Sequence, residues 1–314
     1  MLTRARIKDF KNENKAKANF DDIYSADDPR EYFRVLYGLD YVIPDLAKGI
    51  FRNLANTIAS MRGGKVSVLD VGCSYGLNGA LLKHPLDIDR LAARYRELDL
   101  ADLDSGELSQ LDRNYYNGWP NSGIEVIGLD SSEPAVNYAC RVGVIDAGII
   151  ANLESEELSE ECSRRLQDVD LVISTGCVGY VGAKTFTRLL DAFGPRKPWI
   201  ASFVLRMFDY TELEDLFRTH GLVTEKLKGV SFVQRRFHSE EEFGGVIDKL
   251  RQRNVDTSTK EDEGLLHAEF FLSRPTDESA VLPLDQLCSV TSGVNRNYGR
   301  RFQARADNTL RFGR

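Results

Sequence analysis

The chain has 314 residues, 42% hydrophobic and 28% charged, which suits one large domain or a core domain with additions. Its net charge of −7 argues against nucleic acid as the main partner, because phosphate binding needs a basic field. No apolar run reaches the length of about 18 residues that spans a membrane, and the charged first twenty residues lack the apolar core of a secretory signal. Cys73, Cys140, Cys162, Cys177 and Cys288 are widely spaced, without zinc-ligand spacing. The expectation is a cytoplasmic protein with reduced thiols, no membrane partner and no metal site.

Residues 1 to about 26 are polar and read as a flexible arm or a loosely docked helix. Asp27-Asp28-Pro29 signals a helix start, and Tyr32, Phe33, Val35, Leu36 and Leu39 supply a helical apolar stripe. Pro44 punctuates it. A second amphipathic helix is predicted from about Asp45 to Met61, with Leu46, Ile50, Leu54 and Ile58 four apart and Gly63-Gly64 at its end. Tyr24, Tyr32, Phe33, Tyr37 and Tyr41 concentrate aromatic surface in this region.

Val66 to Gly76 is the organising stretch. An apolar, β-branched run ends in Asp70, turns on Gly72 and Gly76, and passes into a helix marked by Leu77, Ala80, Leu81 and Leu82. Continuous apolar runs belong to parallel strands covered on both faces. A glycine turn lets a ligand approach the backbone at the N-terminus of the helix. Asp70-Val71-Gly72-Cys73-Ser74-Tyr75-Gly76 makes a poor dinucleotide Gly-x-Gly-x-x-Gly. It resembles motif I of the class I S-adenosylmethionine (SAM) dependent methyltransferases, with Ser74 at the middle glycine position. The resemblance implies an α/β fold: a Rossmann-like, seven-stranded, mostly parallel sheet with helices on both faces. It also implies SAM as cofactor, S-adenosylhomocysteine (SAH) as product, and N-terminal helices lying as a lid over cofactor and acceptor. Asp70, Gly72, Ser74, Tyr75 and Gly76 would then belong to the cofactor site.

Pro85 to Gly123 exceeds a minimal Rossmann unit and reads as an insertion: a helix around Asp87 to Leu98, a polar segment, then an ordered loop carrying Tyr115, Tyr116 and Trp119 toward the substrate or packed on itself. The second strand, Ile124 to Asp130, ends in an acid followed by Ser131 and the helix Pro134 to Val142. An acid there accepts hydrogen bonds from ribose hydroxyls. A short third strand leads to Asn152 and Leu153, which by the resemblance would meet the adenine, and a helix is predicted from Glu154 to Leu166. The fourth strand, Asp168 to Gly176, resembles the family's strand whose carboxyl end lies beside the transferable methyl; the resemblance would put Thr175 at the cofactor and makes Cys177 to Val181 the stretch best placed for chemistry. No Asn/Asp-Pro-Pro-aromatic motif of nucleic-acid amino-methylating enzymes follows it.

Further on, the pattern gives a helix Ala183 to Phe193, a fifth strand Pro198 to Met207, a helix Tyr210 to His220 closed by Gly221, and a sixth strand Leu222 to Leu227. A charged helix Ser239 to Arg253 precedes the last strand, His267 to Leu272, which the resemblance places antiparallel beside the fifth. Beyond Pro275 an Arg-rich tail (Arg296, Arg300, Arg301, Arg305, Arg311 and Arg314) reads as an interaction tail or a docked arm, with Phe302, Leu310 and Phe312 to bury.

The division that results is an N-terminal helical arm or lid (1–62), a SAM-binding core (63–275, insertion about 85–123) and the tail (276–314). The expected activity is methyl transfer from SAM to a small-molecule acceptor by in-line displacement, with Tyr180 and His238 as catalytic candidates. A protein acceptor, a SAM-binding regulatory subunit and, more remotely, a nicotinamide oxidoreductase are the alternatives. A homo-oligomer through the N-terminal helices or the tail is a further expectation.

Overall fold

The structure is a computed structural model that describes residues 20–288 and two short strands at 302–304 and 310–312. The expectations for residues 1–19 and for the side chains of the Arg-rich tail lie outside the described residues.

Eight strands form one sheet in the order β3-β2-β1-β4-β5-β8-β6, with β7 also paired to β8. β1 (Ser67–Val71), β2 (Glu125–Asp130), β3 (Ala147–Ile150), β4 (Leu171–Thr175) and β5 (Trp199–Leu205) are parallel. β8 (Leu265–Pro275) runs antiparallel to β5, as expected of the last strand. Its eleven residues seat two strands along the other edge: β7 (Phe232–Arg236) against 265–268 and β6 (Leu222–Lys226) against 271–275. β7 is the one strand of this sheet beyond the seven expected. Its Gln-Arg-Arg sequence has no apolar alternation to announce it. β9 (Phe302–Ala304) and β10 (Leu310–Phe312) form a separate antiparallel pair.

The apolar run of β1 is explained by its two buried faces. Val66 and Val68 pack into one core and Leu69 and Val71 into the other. The first core is covered by α1 (Asp21–Tyr24), α2 (Arg30–Gly38), α3 (Ile43–Arg62), α4 (Leu77–Lys83) and α7 (Glu133–Val142). The second is covered by α8 (Glu160–Leu166), α9 (Ala183–Ala192), α10 (Thr211–Thr219) and α11 (Glu240–Gln252). α12 (Thr276–Val281) and α13 (Leu284–Leu287) follow β8. Pro44 lies in the first turn of α3 rather than between helices, where its missing N–H is not needed. Residues 153–155 form a turn and 157–159 are irregular, so the helix predicted from Glu154 begins only at Glu160, capped by Ser159.

The insertion has its expected first helix but is helical further on as well. It contains α5 (Ile88–Arg94), a 3-10 turn and α6 (Ser105–Asn117). Tyr115 and Tyr116 lie in the last turn of α6 instead of a substrate-facing loop. Tyr116 is buried and stacks on His84, while Tyr115 carries Arg94 over its ring and meets Trp119 edge-on. The insertion acts as a buttress. Asp112 of α6, fully buried, accepts from Arg94 Nε at 2.7 Å and Tyr95 Oη at 2.9 Å, and from the Tyr138 hydroxyl of α7. Arg30 of α2 donates to the carbonyls of Leu100 and Leu103 at 2.9 Å, joining the N-terminal helices to it.

Candidate active site

A cavity of about 580 Å³ runs past the carboxyl ends of β3, β2, β1 and β4. This is where an open α/β sheet binds its ligands. The turn after β1 is pinned to β2, since the N–H groups of Gly72 and Cys73 donate to Leu129 O at 2.8 and 3.2 Å. Gly72 has φ 74° and Gly76 has φ 76°. A Cβ on Gly72 would stand 2.8 Å from Cys177 Cβ, and one on Gly76 would stand 2.6 Å from Val144 Cγ2. Ser74, at the glycine-like position of the motif, is itself left-handed at φ 46°.

Asp130 organises the floor. Its Oδ2 accepts Ser74 N–H at 2.8 Å and its Oδ1 accepts Ser132 N–H at 3.0 Å. Each oxygen keeps a further lone pair for a ligand donor. At the end of β3, Asn152 and the buried Leu153 line the cavity, and Asn152 Oδ1 accepts Glu154 N–H at 3.1 Å. At β4, Thr175 Oγ1 accepts from Asn78 Nδ2 at 3.2 Å, and the same amide donates to Asp70 Oδ1 at 3.0 Å. Asp70 is fully buried behind the cavity wall. Burial pushes its carboxyl up to about 7, opposed by the Asn78 hydrogen bond and reinforced by the nearby charge of Asp130.

The roof comes from the N-terminal helices. Phe20, Tyr24, Ser25, Tyr32, Leu36 and Tyr41 face the cavity. Burial raises the Tyr24 and Tyr32 phenols and pushes Tyr41 up to about 12, so all three are neutral hydroxyls near pH 7. Two hydroxyls fasten the roof to the floor. The Tyr75 O–H is shared between Ile23 O at 3.0 Å and Ala26 O at 2.7 Å, and Ser132 Oγ donates to Tyr24 O at 2.6 Å. The far wall is Gln234 and Arg235 of β7. Arg235 is paired with Glu242 through Nη1 at 2.8 Å and Nη2 at 2.5 Å.

Of the residues expected from sequence, Gly72, Ser74, Asp130, Ser131, Asn152, Leu153, Thr175 and Tyr180 line the cavity together, with Tyr180 49% exposed at the rim. Asp70, Tyr75 and Gly76 stand behind the lining. His238 does too: its N–H donates to Glu242 Oε2 at 2.8 Å and its ring meets Phe20 edge-on, so it supports the wall. Asn78, Gln234 and Arg235 were not anticipated. Asn78 had a signal, a lone amide among the leucines of its helix, whereas the other two depend on a strand that the sequence did not reveal.

No protein-family model and no curated protein sequence matches the chain. Solved structures align at low identity. The plantazolicin methyltransferase BpumL in complex with SAH is 15% identical over 85% of this chain and 97% of its own, with a TM-score of 0.40. A TehB-like SAM-dependent methyltransferase from Corynebacterium glutamicum is 15% identical over 70% and 86%, with a TM-score of 0.35. The bifunctional kinase-methyltransferase WbdD is 11% identical over 73% and 39%, also with a TM-score of 0.35. The fold is read from the sheet order itself, which is Rossmann-like with one antiparallel insertion beside β5.

Proposed function

We propose that the chain is a SAM-dependent methyltransferase acting on a small-molecule acceptor. The observation that carries this reading is the position of Asp130. It closes β2, holds the Ser74 turn through one oxygen and Ser132 through the other, and faces a cavity that continues to Asn152 and Leu153. An acid so placed suits a ribose diol. Asn152 Oδ1, with a lone pair beyond its bond to Glu154, suits an exocyclic amine, and Leu153 offers an apolar face. Gly72 lets the turn close against Cys177, where a Cβ would stand 2.8 Å from Cys177 Cβ, and so keeps the backbone of the turn at the cavity.

SAM supplies a methyl group already activated on a sulfonium. The chain has to hold an acceptor lone pair in line with it and exclude water. Positioning of this kind contributes roughly 7–11 kcal/mol. The aromatic roof, fastened by Tyr75 and Ser132, covers the cavity. Raised tyrosine phenols cannot serve as ready bases, which favours an amine acceptor, or one whose proton leaves after transfer. A roofed cavity favours a small molecule over a protein side chain.

Thermal unfolding with SAH and with NADH tests the reading. Ligand at about 100 times its dissociation constant adds roughly 2.7 kcal/mol, several degrees for a large domain. A rise with SAH that is lost in Asp130→Asn supports it. A rise with NADH alone sinks it. SAH binding without transfer to any small-molecule or protein fraction would point to a regulatory subunit.

A further inference from the structure

Gln234 and Arg235 are consecutive, yet both line the cavity. On a regular strand neighbours point to opposite faces. The exception has a cause: β7 bulges against β8. Val233 pairs with His267 and Arg235 with Leu266, so Gln234 has no partner across the ladder. Bulges of this kind re-aim a side chain. The other edge of β7 fixes the irregularity, since Gln234 O accepts Val42 N–H at 2.9 Å and Arg236 N–H donates to Leu39 O at 2.7 Å.

The amide that the bulge turns inward is 95% buried, and its Oε1 has no hydrogen-bond partner among the described residues. A buried carbonyl oxygen without a donor is uncommon, because it forfeits its water without replacement. Its place is defined by Gly176: a Cβ there would stand 2.5 Å from Gln234 Nε2. The amide therefore sits against the carboxyl end of β4, beyond Thr175 and on the opposite side from Asp130 and Asn152. The charge next to it is already balanced. Arg235 is 1% exposed, bidentate to Glu242, and lies over the Phe20 ring at 5.1 Å. A cation there would meet the guanidinium, and an anion would compete with Glu242. Tyr24, Tyr32 and Tyr41 supply flat apolar faces.

We propose that Gln234 is the acceptor-positioning residue: its side-chain amide turns on binding to present Oε1, which is shielded in the ligand-free chain, and the acceptor is a neutral, planar group whose N–H or O–H donates to that oxygen. This rests on the methyltransferase reading, in which the ribose end of the cavity is taken by the cofactor. Gln234 fixes the orientation of the nucleophile, and the aromatic walls fix its plane.

The test uses the full chain loaded with SAH and three probes of similar shape: phenol, aniline and toluene. Phenol and aniline are expected to bind about tenfold or more tightly than toluene, because a site built around a hydrogen bond rejects the analogue lacking it. In Gln234→Leu that preference disappears while SAH affinity is unchanged. Gln234→Met, unbranched and closer in shape, is the second variant in case leucine does not fold. Both variants raise the unfolding midpoint of the ligand-free chain. Equal affinity for the three probes, no binding of any of them, or a preference that survives in the folded variants overturns the proposal. Failure of SAH to bind while the free chain still prefers phenol and aniline through Gln234 would sink the cofactor reading and leave the donor site standing.

Discussion

Replacing Asp70 with asparagine measures what it costs to hold an acid beneath the cleft. The side chain is fully buried; Asn78 donates to Oδ1 at 3.0 Å, and Oδ2 has no hydrogen-bond partner among the described residues. Its carboxyl is raised from 3.8 to about 7. Between those two values the folded chain keeps a proton that the unfolded chain has released. Stability therefore falls as pH rises through this window, by about 4 kcal/mol in total, and the full penalty applies above pH about 7. Asparagine retains the oxygen that Asn78 needs and never ionises. Asp45 and Glu261 are also pushed up to about 7 by burial, so Asp70 is one contributor among several to the slope of the wild-type curve. The difference between Asp70→Asn and wild type isolates the contribution of Asp70. Urea unfolding across the pH range is the assay. The variant should match or trail wild type at the acid end and gain up to about 4 kcal/mol by pH about 8. A gap that stays constant with pH, or a variant less stable at the alkaline end, refutes the argument.

Tyr75→Phe removes the hydroxyl shared by Ile23 O and Ala26 O. Amide exchange over residues 23–26 should speed up roughly two- to tenfold, the equivalent of about 0.5–1.5 kcal/mol, with little change in global unfolding; unaltered exchange there would mean the roof is held by packing alone. Ser74→Gly relieves a left-handed serine worth roughly 1–2 kcal/mol against roughly 0.5–1 kcal/mol of chain entropy, so urea stability should hold or rise slightly. A clear loss would show that the serine side chain makes a contact the turn requires. Glu242→Gln leaves Arg235 as a buried, uncompensated charge and should cost about 3–5 kcal/mol in the same measurement; a change under about 1 kcal/mol would mean that water reaches the pair.

The parallel half of the sheet was legible because its signals are local. Val66 to Val71 carries its burial in consecutive residues, and the glycines of the turn are required by φ values that few other residues adopt. Asp130, Asn152 and Thr175 follow from the same logic, since each stands at the end of a strand that the sequence announces. β7 was hidden because its partner, β8, lies some thirty residues away and its polar, basic sequence reads as loop although four of its five residues are buried. The wall of the cavity went with it. α6 carries a local sign of its own. Asp104 and Glu107 form a capping box, with Asp104 Oδ1 accepting Glu107 N–H at 2.8 Å and the Glu107 side chain accepting Asp104 N–H at 3.1 Å. The tyrosines of the N-terminal helices were visible as a cluster, but their division was not. Tyr24, Tyr32 and Tyr41 face the cavity, whereas Phe33 stacks on Tyr95 and Tyr37 donates to Asp89, a sorting that only tertiary packing decides.

The two hydroxyls that clasp the roof to the floor both land on main-chain oxygens: Ile23, Tyr24 and Ala26 contribute carbonyls, and the donors, Tyr75 and Ser132, belong to the floor. Closing and recognising are therefore written in different atoms. Phe20, Tyr24 and Ser25 can be exchanged for other side chains without touching the clasp, so the covering of the cleft is open to redesign, and to drift, while the means of shutting it stays the same.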